Sequence, residues 1–454
     1  MKAFISIAVY NPVTGKESDY VANLNENNQF SLNVTLECST AIVGFNIQSE
    51  TRFYGNGVIG LEQEKKVQLN IVFNDQGDMK IETVEGLQLS SEDLKNGSKA
   101  LYRFETDRTW GDYYKMTPKE FSQHELKSLE VRTNFAIDSL HLSDVIKKYL
   151  INSFNLRYIS GRLFDYKEVA KESYRVSTKD STVYQVAEPD KSYYSFLKDF
   201  NLNDPQLLYT YSYSVFMHRF LSIEAFKIPQ IKDTPINQWL IEVKSNIKDV
   251  VGFNTGLFYD MLAVNAYNLQ LNYRMEPLTN KQIENIKEYY ITKNQGIADI
   301  LLKNNEEIIK TLEKSKDLKV NVTPSVPKEK LMAAILSKYK GKVVLVDFWE
   351  TWCGPCLRGI KEMKPFKNEF KNKEILFIYI SSVSSPKELW EAQIKAIGGE
   401  QYYFTKSEAN YVGDSFGFNG VPSYLIYDKN GELKHKFTGF PGVEKMREMI
   451  DEFM

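Results

Sequence analysis

Two cysteines separated by two residues have the clearest chemical meaning in this sequence. They are Cys353 and Cys356 in the segment WCGPC, with Gly354 and Pro355 between them. The chain has 454 residues and three cysteines, so the remaining one, Cys38, lies far from the pair. Two thiols at this spacing can close a small disulfide ring. The pair can therefore exchange two electrons with another disulfide through attack by a thiolate.

The residues around the pair predict which sulfur attacks. The strand-like run VVLVDFW leads into Cys353, and Pro355 suits the first turn of a helix because its missing N–H is not needed there. We expect Cys353 to lie at a helix N-terminus, where unpaired amides and the helix dipole favour a thiolate. Cys356, one turn further along, is then the cysteine that expels the bound partner.

Other interpretations of the pair are weaker. A structural zinc site needs four ligands, but the sequence has no second CxxC segment and its histidines are dispersed at positions 124, 141, 218 and 435. A structural disulfide that closes so short a loop would stabilise the fold only weakly. For a peroxide-reducing cysteine we expect threonine three residues earlier, where this chain has Glu350. We therefore expect neither a metal nor a separate cofactor.

Asp347 is the next candidate residue, because it lies inside the otherwise apolar run VVLVDFW. Such a run is typical of a strand that is buried on both faces. An isolated carboxylate there is costly to ionise, so we expect its pKa to be raised. The alternative is an aspartate that reaches solvent at the end of the sheet.

The elements upstream fall into two segments of different periodicity. Residues 1–112 predict an all-β sandwich or barrel, because apolar residues alternate along runs at 30–38, 43–47 and 67–73. Turns are expected at Asn11-Pro12, Gly55-Asn56-Gly57 and residues 74–77. Residues 115–315 predict an α-helical domain, with helix starts at Asp204-Pro205, Thr234-Pro235 and Thr279 with Gln282.

The last segment contains the cysteine pair. Two prolines within residues 316–328 predict a linker. Residues 329–454 alternate helix and strand signals, which predicts an α/β domain with a mixed sheet. The sequence as a whole thus predicts a multidomain protein with a β, a helical and an α/β part.

Composition excludes several classes of partner. Lys plus Arg is 57 and Asp plus Glu is 59, so the charge balance gives no reason to expect binding to nucleic acid. No apolar run reaches the roughly 18 residues that a membrane span needs. The start, MKAFISIAVYNPVTG, predicts a strand ending at Asn11-Pro12 rather than a signal peptide, because its apolar run is short and lacks a cleavage site. If the natural protein is exported, its targeting segment is not in this sequence.

The segment VVLVDFWETWCGPC resembles the active site of thioredoxins. Together with FGFNGVPSYLIYDKNGEL, it is similar to TlpA-type thiol–disulfide oxidoreductases of bacterial envelopes. The resemblance covers residues 325–454 and implies a thioredoxin fold; the order of a β, a helical and a thioredoxin-like domain resembles multidomain TlpA-like proteins more loosely.

The resemblance also implies roles for individual residues. Pro422 would be a cis proline that faces the dithiol, and the backbone of Val421 would pair with an extended substrate strand. Trp352 would flank the reactive sulfur and contact partner chains. Asp347 would take the proton of Cys356 when that sulfur attacks the mixed disulfide. The alternative for Pro422 is an ordinary trans proline at the start of a strand.

Two positions depart from the family pattern. Many TlpA-like proteins have glutamate three residues after the second cysteine, where this chain has Gly359, so a second acid is missing. Glu350 stands where small residues are common, and we expect a solvated surface side chain there. We expect Trp349 to be a core residue and Cys38 to be a buried, unreactive thiol.

The sequence thus favours an enzyme that reduces protein disulfides through Cys353 and Cys356. By resemblance it would act in the periplasm or cell envelope and accept electrons from a membrane-linked donor. A second hypothesis is a binding protein whose two upstream domains recognise a partner or ligand or hold a homodimer together, with the dithiol secondary or regulatory. A third is a disulfide isomerase.

Overall fold

The computed structural model describes residues 3–49, 53–73, 79–85, 89–105, 111–180, 184–314, 317–370 and 375–454. The chain divides into two compact units: the first is Met1–Leu269 with Thr279–Lys303, and the second is Gln270–Leu278 with Asn304–Met454. The predicted turn at residues 74–77 lies outside the described residues. The predicted division of residues 1–315 into two domains stays a prediction.

The strands of the first unit confirm the period-two pattern. Within the described ranges, an antiparallel sheet has the order β2-β1-β3-β4 and a separate hairpin is made by β5 and β6. Alternate residues of β1 and β3, among them Ile5, Ile7 and Phe45, are buried in one apolar core. The strands are β1 (Ala3–Tyr10), β2 (Glu17–Asn23), β3 (Thr40–Ser49), β4 (Phe53–Glu62), β5 (Gln68–Phe73) and β6 (Met79–Glu85).

Two predictions about this unit are wrong. Apolar and other residues alternate along residues 30–38, but this segment forms no strand. Its apolar side chains pack on the core. Its backbone groups bond to side chains, as in the 3.0 Å hydrogen bond from Gln63 Nε2 to the Leu36 carbonyl. The segment Gly55-Asn56-Gly57 is no turn but part of β4. Glycine is needed at 57 because a Cβ there would lie 2.5 Å from the Phe45 ring.

Helices follow the strands, as the 3.6-residue periodicity predicts. The capping box of Thr279 and Gln282 is present at the start of α8. Asp204 caps a short 3₁₀ helix, Pro205–Tyr209. Pro235 and not Thr234 is the residue before α6. The α-helices are α1 (Ser91–Glu105), α2 (Pro118–Ile137), α3 (Asp144–Tyr158), α4 (Tyr166–Thr178), α5 (Tyr213–Leu221), α6 (Ile236–Val251), α7 (Leu257–Asn268), α8 (Asn280–Tyr290) and α9 (Gln295–Lys314).

The second unit contains the mixed sheet that the sequence predicts. In the described part of the chain its strand order is β12-β11-β8-β9-β10-β7. Strand β8 lies at its centre, parallel to β9 and antiparallel to β11. The strands are β7 (Lys319–Val320), β8 (Val343–Phe348), β9 (Ile375–Ser382), β10 (Glu400–Phe404), β11 (Ser423–Tyr427) and β12 (Leu433–Thr438).

Helices cover both faces of this sheet. On one face, side chains of α11, α12 and α14 share a core with Val343 and Leu345 of β8. On the other face, α10 and α13 pack against Val344 and Val346. The helices are α10 (Leu331–Leu336), α11 (Gly354–Glu369), α12 (Lys387–Ile397), α13 (Lys406–Phe416) and α14 (Val443–Asp451). None of the helices in the described ranges has the length and apolar content that crossing a membrane requires.

Candidate active site

Cys353 and Cys356 form a disulfide at the N-terminus of α11. Cys353 is the N-cap residue, and its Sγ accepts a hydrogen bond of 3.2 Å from the backbone amide of Cys356. Pro355 lies in the first turn, where its missing N–H costs no hydrogen bond. The Cys356 amide of the first turn thus points at the sulfur of Cys353, an arrangement that favours a thiolate there once the disulfide is reduced.

Both cysteines are buried, but the residue before Cys353 is exposed. Cys353 is 4% exposed and Cys356 is completely buried in the core under α11. Trp352, next to Cys353, is 64% exposed, and its indole Nε1 donates to Ser384 Oγ at 3.4 Å. Trp349 is buried, as the sequence predicts. Trp352 therefore provides an exposed surface next to Cys353 that another chain can contact.

Asp347 lies on the face of β8 that packs against α11. Successive side chains of a strand alternate between faces, and Leu345 and Trp349, two residues either side, belong to the core cluster of Cys356. The Asp347 carboxyl is 5% exposed, and its Oδ1 has no hydrogen-bond partner in the described part of the chain. Burial raises the pKa of Asp347 well above its ordinary value. The solvent-reaching alternative for this residue is therefore wrong.

The peptide bond between Val421 and Pro422 is cis, as the resemblance implies. Strand β11 begins directly afterwards, and its first residue, Ser423, is paired with Phe348 at the end of β8. This register places the cis bond near the C-terminal end of β8, from which the segment with the two cysteines continues. Val421 packs against the cluster that contains both cysteines.

A cavity of about 350 Å³ opens beside the cis proline. Its walls include the aromatic residues Phe348, Phe404 and Phe418, together with Val421 and Glu350. The space is large enough for one apolar side chain of a partner. It lies next to the backbone that the resemblance assigns to substrate pairing.

Glu350 is a residue whose environment the sequence reasoning missed. The side chain expected at the surface is 7% exposed and accepts hydrogen bonds from three serine hydroxyls, two at the end of β9 and one in the loop that follows. The donors are Ser381 Oγ at 2.9 Å, Ser382 Oγ at 2.6 Å and Ser385 Oγ at 2.5 Å. Ser385 Oγ also accepts the Thr351 amide at 2.8 Å. The serine-rich segment SSVSS, which follows the buried run ILFIYI, was the available signal.

Cys38 takes no part in this site. Its thiol is half-buried and unbonded to another cysteine. Burial raises the pKa of Cys38 to about 12, so the group stays protonated at neutral pH. The expected burial on a strand face is therefore only partly met, because Cys38 is half-buried and lies outside the strands.

Comparison with known proteins finds similarity in residues 322–450. The Redoxin family model matches residues 322–450. The thiol–disulfide oxidoreductase ResA of Geobacillus kaustophilus is 30% identical over 104 residues, which are 23% of this chain and 59% of that protein. ResA of Geobacillus thermodenitrificans is 30% identical over 119 residues, covering 26% of this chain and 66% of its own length. The chain thus spans less than two thirds of these relatives.

Other relatives match the same part of the chain. The thiol–disulfide oxidoreductase YkuV of Bacillus subtilis is 28% identical over 120 residues, which are 25% of this chain and 78% of that protein. Among solved structures, the thioredoxin domain of a Bacteroides vulgatus thiol–disulfide oxidoreductase is 24% identical, with a TM-score of 0.23, over 25% of this chain and 84% of its own. Residues 322–450 therefore match the Redoxin family model and are similar in sequence to thiol–disulfide oxidoreductases.

Proposed function

We propose that this protein is a thiol–disulfide oxidoreductase that reduces disulfides of other proteins. The observation that carries the proposal is the Cys353–Cys356 disulfide at the N-terminus of α11, with both cysteines buried and Cys353 next to the exposed Trp352. The homology of residues 322–450 supports the same chemistry.

The reaction has two steps. The Cys353 thiolate attacks a substrate disulfide, which forms a mixed disulfide and releases one substrate thiolate. Cys356 then loses its proton to Asp347 and attacks Cys353, so that the second substrate thiolate leaves and the internal disulfide closes. Two electrons pass from the enzyme to the substrate. Asp347 suits its role because a carboxylate with a raised pKa holds a proton well.

The substrate would bind beside the cis proline. The backbone of Val421 would pair with an extended substrate segment, Pro422 would face its disulfide, and Trp352 would add an apolar contact. An apolar side chain next to the substrate cysteine fits the cavity lined by Phe348, Phe404 and Phe418.

The reducing direction follows the Gly354-Pro355 dipeptide, which resembles that of reducing thioredoxins. The protein would act in the cell envelope and regain its electrons from a membrane-linked donor. Equilibration in graded dithiol buffers, followed by thiol trapping, measures the potential. A potential near that of reducing thioredoxins, about −270 mV, supports the reductase; a potential near that of strong oxidants, about −120 mV, contradicts this direction.

Two cysteine variants test the mechanism. Cys356→Ser should accumulate a mixed disulfide with a protein substrate, because the attacking sulfur remains and the resolving one is lost. Cys353→Ser should accumulate none. If both variants trap equal amounts, the assigned roles are wrong. If a double Cys353→Ser, Cys356→Ser variant retains the cellular function, the dithiol is secondary and the protein acts by binding. Reshuffling of scrambled disulfides without net reduction would instead identify an isomerase.

A further inference from the structure

Two buried polar atoms belong to side chains on the same face of the sheet as the dithiol. The hydroxyl oxygen of Tyr424 and the Oδ1 of Asp347 both lack a hydrogen-bond partner among the described residues. Tyr424 lies on β11 directly opposite Asp347 on β8. Paired residues of adjacent antiparallel strands have side chains on the same face of the sheet. That face is the one covered by α11, since Tyr424 belongs to the cluster of Cys356.

The position of Gly359 locates the Tyr424 hydroxyl more closely. Gly359 is buried in α11, three residues after Cys356, which is about one helical turn. A Cβ atom on Gly359 would lie 3.2 Å from the Tyr424 hydroxyl and 3.1 Å from the Phe440 ring. The hydroxyl therefore reaches the backbone of α11 just below the resolving cysteine, in space that glycine leaves open.

We propose that Tyr424 is a positioning residue for the proton transfer from Cys356: its hydroxyl, unpartnered in the oxidised structure, turns to donate a hydrogen bond to the Asp347 carboxylate when that group ionises. The inference rests on the proposed function, in which Asp347 accepts the Cys356 proton. In that step the S–H bond of Cys356 breaks, an O–H bond forms on Asp347, and the new thiolate attacks Cys353. Tyr424 keeps its own proton throughout.

Other titratable groups surround Asp347. From α11 the nearby group is Cys356, from β9 Tyr379, and from β11 Tyr424, whose hydroxyl also senses the charge of Glu362 of α11. Burial, reinforced by the charge of Asp347, raises the pKa of Tyr424, so its phenol remains a donor at neutral pH. Tyr379 is also paired with Asp347, but its ring edge lies against Gly399 and under the Lys367 ammonium group. Tyr424 is thus the tyrosine placed towards α11.

The test is Tyr424→Phe, which removes one oxygen atom and leaves the ring. The matched control is Tyr427→Phe, a buried tyrosine of the same strand on the opposite face. The rate at which a preformed mixed disulfide on Cys353 is resolved would be measured against pH. Without its donor the Asp347 carboxylate is harder to form, so the rate profile should move up by about one pH unit, and resolution near pH 7 should slow about tenfold. Alkylation of Cys353 should not change.

A double variant separates positioning from packing. In an Asp347→Asn background, Tyr424→Phe should have no further effect on the resolution rate, because the hydroxyl acts through the carboxylate. The ¹³C carboxyl resonance of Asp347 in the folded protein should titrate at higher pH in Tyr424→Phe than in Tyr427→Phe.

The possible outcomes distinguish this inference from the proposed function. If the unaltered protein does not resolve mixed disulfides, the proposed function fails. If it does resolve them, and Tyr424→Phe has the same pH profile as Tyr427→Phe, only the role of Tyr424 is overturned. A Tyr424→Phe effect that persists undiminished with Asp347→Asn would also overturn it.

Discussion

The carbonyl oxygen of Glu350 accepts a hydrogen bond of 3.0 Å from the backbone amide of Cys353. The carboxylate of Glu350 meanwhile accepts hydrogen bonds from two serines at the end of β9 and one in the loop that follows. Glu350 thus connects Cys353 to the end of β9 and to that loop. The position of Cys353 depends on this connection as well as on α11.

Removal of the Glu350 side chain should loosen the dithiol loop. In Glu350→Ala the serine hydroxyls lose their acceptor, and each unsatisfied buried group costs about 1–3 kcal/mol. We expect the domain to lose about 2 kcal/mol or more in denaturant unfolding, with faster hydrogen exchange at the amides of Thr351 and Cys353. The control is Glu391→Ala, an exposed glutamate of α12. Equal exchange rates in the two variants would contradict this role.

Asp347 should make the stability of the oxidised domain depend on pH. Because burial raises its folded-state pKa, its contribution is complete below the unfolded value, about pH 3.9, and is lost as pH rises through the folded pKa. Asp347→Asn does not titrate. Its stability relative to the unaltered protein should therefore increase between about pH 4 and pH 8, by at least about 1 kcal/mol. Thermal unfolding across this range measures the difference, and a constant offset would argue against the raised pKa.

His218 should give the first unit the opposite dependence. Burial lowers the pKa of His218 to about 4, below its ordinary value near 6.5. The unfolded chain therefore binds the proton more readily, and stability falls as pH drops from about 6.5 to about 4, by up to about 3 kcal/mol. His218→Gln should flatten this part of the curve, whereas His141→Gln, at an exposed position, should leave it unchanged. Identical curves for both variants would refute the assignment.

Gly57 in β4 should tolerate no side chain. A Cβ at this position would lie 2.5 Å from the ring of Phe45, which is buried in the core of the first sheet. Gly57→Ala should therefore destabilise the first unit by roughly 1–3 kcal/mol, the usual cost of overpacking. Gly44→Ala is the control, since a Cβ there would meet its nearest atom at 3.9 Å. A similar midpoint of denaturant unfolding for both variants would show that the ring moves freely.

Local patterns in the sequence determined much of the redox domain. The order of its strands and helices, the helix start at Cys353 and the burial of Asp347 follow from periodicity, proline placement and the cost of burying a carboxylate. These features depend on residues close together in the chain, so the sequence alone carries them. The strand at Ala3–Tyr10 and the capping box at Thr279 were predictable for the same reason.

Contacts between residues far apart in the chain were decided only by the tertiary structure. From the sequence, Glu350 is expected at the surface. In the structure, Ser381 and Ser382 at the end of β9 and Ser385 in the following loop donate hydrogen bonds to its carboxylate. From the sequence, Gly57 is expected in a turn. In the structure, the Phe45 ring occupies the space that a side chain at position 57 would need. From the sequence, Tyr424 is an ordinary strand residue. In the structure, the register of β11 pairs it with Asp347. A hydrogen bond, a steric contact and a strand register each join two separate segments, and local sequence patterns do not specify which segments meet.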